Sequence, residues 1–161
     1  MKKGFTFIEL ILYIAIVGMV MSAMLPVAWE VVGGGTRSMV DREVAATARN
    51  VLERIKYEIR NAKNITSVSS SSLVLEKYSG GTTTVDLNAG QIRIDSGTGP
   101  VRINSENTTA TNLVFTDYSS ADGKTKNIQV EMTLEANFSS TLRQEFEETV
   151  NLQTAVEVRG I

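Results

Sequence analysis

The chain has 161 residues, a net charge of −2, no histidine and no cysteine. Those absences exclude disulfides, thiolate metal sites and cysteine nucleophiles, and leave acid–base chemistry to carboxylates, Lys, Ser and Tyr. The charge balance and the lack of a basic stripe give nothing that suggests a nucleic-acid partner, and the length suits one anchored domain.

From Leu10 to Trp29, twenty consecutive residues carry no formal charge. At about 1.5 Å per residue this is roughly 30 Å of helix, enough to cross membrane lipid. Lys2 and Lys3 precede the run, so the remainder of the chain is expected outside the cytoplasm. A cleaved secretory signal fits poorly. The run is too long for an h-region, and cuts after Ala23 or Ala28 would put Met21 or Pro26 at the third position before the cut. Glu9 lies at the head of the run, between the apolar residues Ile8 and Leu10. A carboxylate at the bilayer centre costs on the order of 3 kcal/mol, less near the edge, where it can snorkel. Such a residue is a functional candidate by default, and its partner has to be found.

Pro26 predicts a kink or local melting between Ser22 and Pro26. The triplet Gly33-Gly34-Gly35 predicts a flexible joint, since each Gly costs about 1 kcal/mol in a helix. From Thr36 to Lys63, apolar residues recur at Val40, Val44, Ala48, Val51, Leu52, Ile55, Ile59 and Ala62. Spacings of three and four place them on one helical face, read as packing on the protein's own sheet. Trp29 reads as an interfacial anchor.

From Ile65 the period changes to two. Leu73 and Leu75, Val85 and Leu87, Ile92 and Ile94, and Val101 and Ile103 alternate with polar residues. Gly80-Gly81, Asn88-Ala89-Gly90, Gly97-Thr98-Gly99-Pro100 and Asp122-Gly123 supply turns. Longer strands are expected at 112–118, 127–136 and about 142–158, with loops at 69–72 and 104–111. The fold class is therefore α+β. A long N-terminal helix, transmembrane and then amphipathic, is interrupted near Pro26 and Gly33-Gly35 and packs on an antiparallel sheet. The expected segments are a leader over 1–4, an apolar helix over 5–32, the glycine joint at 33–35, an amphipathic helix over 36–64 and a β domain over 65–161. A fragment starting near Gly35 is expected to fold alone as a monomer.

The string Gly4-Phe5-Thr6-Phe7-Ile8-Glu9, behind a short basic leader and ahead of an apolar run, resembles the processing site of type IV pilin-like proteins. The resemblance covers Lys2 to about Trp29. It implies that a prepilin peptidase cuts between Gly4 and Phe5, leaving 161 − 4 = 157 residues, and that Phe5 is N-methylated. It also implies a role for Glu9: neutralising the N-terminal amine of a neighbouring subunit in the filament core. Two charges that are each costly in an apolar medium become tolerable when paired. The implied partners are the peptidase, other pilin or pseudopilin subunits, an inner-membrane assembly platform and membrane lipid. The implied function is a structural subunit of a type IV pilus or of a secretion or competence pseudopilus. The strand-rich C-terminal part is similar to minor subunits of the J or W type.

No cofactor and no metal site is expected. Asp86, Asp95, Asp117 and Asp122 are scattered and read as solvated turn residues, and Glu145, Glu147 and Glu148 as a solvated strand edge. No nucleophile elbow or phosphate-cradling loop occurs, and no catalytic residue is assigned. The competing function is an uncleaved, signal-anchored binding module outside the cytoplasm. Subunit-specific roles in either case would lie in loops 79–82, 96–100, 104–111 and 119–126.

Overall fold

The computed structural model describes residues 6–122, 124–137 and 148–159, and the side chains of these except at 32, 33 and 36. Among the described residues, helix α1 spans Phe7–Arg60 and eight strands follow: β1 Ala62–Ser69, β2 Ser72–Lys77, β3 Thr82–Asn88, β4 Gln91–Asp95, β5 Pro100–Arg102, β6 Thr108–Asp117, β7 Asn127–Ala136 and β8 Thr149–Glu157. The protein is α+β. It divides into two compact units, Met1–Met39 and Val40–Ile161.

The interruption expected at Pro26 and Gly33-Gly35 is not there as a break, because α1 runs through all four residues. Proline withholds one backbone donor and each glycine adds a penalty of about 1 kcal/mol. Both effects are local, whereas helix propagation is cooperative on either side of them. In the first unit, the apolar residues of α1 from Phe7 to Val31 are exposed on every side.

In the second unit the period of the sequence becomes a core. Val40, Val44, Ala48, Val51, Ile55 and Ile59 are buried, and Leu52 packs at the margin. Opposite them lie Leu73, Leu75, Val85 and Ile92 from one sheet and Leu113, Ile128, Val130 and Leu134 from the other. A fully buried Ile or Leu is worth about 2 kcal/mol of transfer free energy. The outward face of α1 carries local ion pairs, Arg54 with Glu58 at 2.8 Å and Lys56 with Glu53 at 2.6 Å. Such exposed pairs contribute little to stability.

The helix ends earlier than its apolar pattern. Asn61 donates to the Tyr57 carbonyl from its backbone N–H at 3.1 Å and from Nδ2 at 2.9 Å, which closes the last turn. Ala62, expected as the last helical core position, is instead the buried first residue of β1.

The strands form two antiparallel meanders, β1-β2-β3-β4-β5 and β6-β7-β8. Strand β1 was not expected as a separate element, since Ile65 and Val68 stand among Asn, Ser and Thr. Its pairing with β2 shifts register twice. The β3–β4 hairpin turns through Ala89 (φ 48°) and Gly90 (φ 76°), with Asn88 opposite Gln91. Both turn residues are left-handed, as a type I′ turn requires. A Cβ at Gly90 would lie 2.6 Å from Thr109 Cγ2. Segment 104–111, expected as a loop, becomes β6 from Thr108 onward. The strand expected from residue 142 is described from Thr149 to Glu157; residues 138–147, with Glu145 and Glu147, lie outside the described residues.

Candidate functional site

Gly4 and Phe5, the expected processing residues, lie outside the described residues. The described site begins at Thr6, whose carbonyl accepts from the backbone N–H of Glu9 at 3.1 Å and of Leu10 at 3.2 Å. These bonds close the first turn and place Glu9 in it. An acidic residue there faces the positive end of the helix dipole, a favourable position for a carboxylate. Glu9 is exposed, as are its neighbours Phe7, Ile8 and Leu10.

Phe7–Val31 is long and apolar enough to cross a membrane and is not buried within the molecule. Phe7 is 79% exposed and Trp29 72%. Isolated apolar residues on a surface are ordinary, but a continuous apolar surface of this length marks a membrane or partner interface. One polar residue within it is satisfied locally. The Ser22 hydroxyl donates to the Met19 carbonyl at 2.9 Å, so it asks nothing of lipid. Pro26 leaves the Ser22 carbonyl without its usual donor four residues on. Val20, Ala23, Met24, Val27, Ala28 and Val31 line an open apolar groove along one side of α1. Gly18, Gly34 and Gly35 have open space where a Cβ would stand.

Asp86, Asp95, Asp117 and Asp122 are engaged in local structure. Asp86 holds Arg93 bidentately at 2.9 and 2.7 Å across β3 and β4, which raises the Arg93 pKa; its place is a strand and not the turn expected for it. Asp95 Oδ1 accepts from the backbone N–H groups of Gly97 and Gly99. Asp117 Oδ1 accepts from Ser119 N at 2.8 Å. Asp122 accepts from the Ser120 hydroxyl and from Lys124 N, which together lower its pKa below the usual carboxylate range. Lys63 pairs with Glu76 at 2.7 Å and its pKa is raised by that bond. Among the described residues, no group of three or more acidic side chains is placed to share a metal ion.

Asn104 went unrecognised from the sequence. Its side chain is buried; Oδ1 accepts from Ile92 N at 2.9 Å, and Nδ2 donates to Thr108 O at 2.8 Å and to Gly90 O at 3.3 Å. It joins the β3–β4 hairpin to the start of β6. Nothing local in Arg-Ile-Asn-Ser-Glu signals this, because most of the partners lie more than ten residues away.

Residues 1–25 match the family model of the prokaryotic N-terminal methylation motif. No curated protein and no solved structure matches the chain. The match spans the Gly4-Phe5 step, Glu9 and most of the apolar run. Over these residues the chain is similar to the N-terminal segment of type IV pilin-like proteins.

Proposed function

We propose that the chain is a structural subunit of a type IV pilus or of a secretion or competence pseudopilus. The prepilin peptidase cuts between Gly4 and Phe5, Phe5 is N-methylated, and the subunit assembles through its apolar helix. Before assembly the helix is a single pass in the inner membrane, with the C-terminal part outside the cytoplasm and an assembly platform as partner. The observation that carries this reading is the methylation motif at residues 1–25 leading into an exposed apolar helix long enough to cross a membrane.

Glu9 is the chemical centre of the proposal. Cleavage creates a positive amine four residues upstream of a carboxylate in the first helical turn. In stacked subunits the carboxylate of one neutralises the amine of another, and removal of one partner strands the other in an apolar medium. The pairing fixes axial register, and packing of apolar helices supplies the area. No catalytic role is part of this reading.

Glu9→Leu tests it. The variant is expected to stay in the membrane and to be cleaved, yet to be lost from sheared or detergent-extracted filaments. Incorporation at the wild-type level would contradict the pairing role; a wild-type chain that is uncleaved and absent from filaments would favour a signal-anchored binding module.

A further inference from the structure

The four outer strands of the two sheets differ in how they end. In the five-stranded sheet, β5 has three residues and begins with Pro100, and β1 shifts register twice against β2. In the three-stranded sheet, β6 carries a register shift between Ala110 and Asn112. Short length, proline and bulges are the devices that stop an edge from recruiting another strand. Strand β8 has none of them. It pairs with β7 over all nine residues without a shift, and no charged residue occurs from Thr149 to Val156.

The backbone parity of β8 follows from two bonds. Val158 N donates to Lys126 O, and Ala136 N donates to Glu148 O, each at 2.9 Å. The even-numbered residues of β8 therefore bond to β7, and Asn151, Gln153 and Ala155 turn their N–H and C=O groups the other way. Among the described residues no strand lies on that side. The side chains of these three are exposed, whereas Val150, Leu152 and Val156 face the core.

We propose that β8 pairs antiparallel with β8 of a second copy of this chain, about a two-fold axis at Thr154. This register puts Thr154 opposite its counterpart, Leu152 opposite Val156 and Val150 opposite Val158 on the core side. Gln153 stands opposite Ala155 on the outer side, where the two exchange backbone hydrogen bonds. Like matches like on the core side, and no two like charges oppose each other. Moving the axis to Gln153 sets Val158 against Glu148 and Leu152 against Thr154, a poorer match. The result is a continuous six-stranded sheet. The contact is isologous, so it closes on a pair and does not itself propagate a filament. It buries little area and is weak in dilute solution; confinement of both copies to one membrane raises their effective concentration.

The absence of cysteine makes the test direct. Full-length Thr154→Cys is produced in its membrane and mildly oxidised, and mass is read on a non-reducing gel. Directly opposed residues of a non-hydrogen-bonded pair lie close enough for a disulfide. Most of the T154C chain is expected to shift to twice the monomer mass. Q153C and A155C, at exposed positions, are expected to stay monomeric when made singly and to cross-link when co-expressed. The exposed Ser79→Cys serves as the background control. T154C dimer no greater than that control, or no preference for the mixed Q153C and A155C pair, overturns the proposal. So does an adduct to a protein of another mass. Because Glu9 is untouched, these outcomes are independent of the filament test.

Discussion

One helix carries two kinds of surface. From Phe7 to Val31 its apolar side chains point in every direction and are exposed; further on, Val40, Val44, Ala48, Val51, Ile55 and Ile59 fall on one stripe and are buried to within a few per cent. The backbone geometry is the same, so the difference is entirely in side-chain pattern. An all-round apolar helix suits lipid or other helices, and a single stripe suits a protein's own sheet. The core cluster lies wholly within Val40–Val158, so the second unit holds the contacts that stabilise it.

The strongest way to break the comparison is a pair of truncations at equivalent chemistry. Ile55→Ala, at a side chain with no exposure, is expected to destabilise the second unit by about 2–5 kcal/mol in urea unfolding followed by circular dichroism. Ile14→Ala, in the exposed run, is expected to leave that transition unchanged. Equal effects would mean that the two stretches of α1 are not distinct in energy. A chain starting at Val40 extends the same logic: it is expected to fold and to keep its strand signal in water. An unfolded spectrum would place part of the core's support upstream.

Two smaller effects test the hairpin that meets β6. Gly90→Ala combines a left-handed φ with a Cβ 2.6 Å from Thr109 Cγ2, and a loss of about 1–3 kcal/mol is expected. Asn104→Leu strands Ile92 N and removes one of two donors from each of Thr108 O and Gly90 O, for about 1–3 kcal/mol. Either variant at wild-type stability would show that the junction carries no strain or bonding of consequence.

The smallest expected effect is on pH. Asp122 has a folded pKa below its unfolded value, so its contribution is present above the ordinary carboxylate range and fades as pH falls through that range. Lys63 is raised, so its contribution is present below the ordinary lysine value and fades as pH rises through and beyond it. Asp122→Asn is expected to flatten the acid limb of the stability profile slightly, since both groups are exposed and screened.

What the sequence showed depended on how local each signal was. The methylation motif is a contiguous string, and the core stripe from Val40 to Ile59 is a simple period; both were legible. The run of α1 through Pro26 and the glycines was not, because propensity prices each residue alone and cooperativity does not appear in such a sum. Strand β1 was hidden because Ile65 and Val68 give too little alternation among polar neighbours. The end of α1 at Arg60 depended on Asn61 bonding back to Tyr57, a capping detail that the apolar period overran. Asn104 was invisible because its role is defined by a hairpin and a strand that come together only in the fold.

The first measurement is the intact mass of the protein extracted from its native membrane, with sequencing of its N-terminus. The account predicts a chain of 157 residues beginning at N-methylated Phe5. A chain still beginning at Met1, in cells with an active prepilin peptidase, would contradict it and leave Glu9 without a partner.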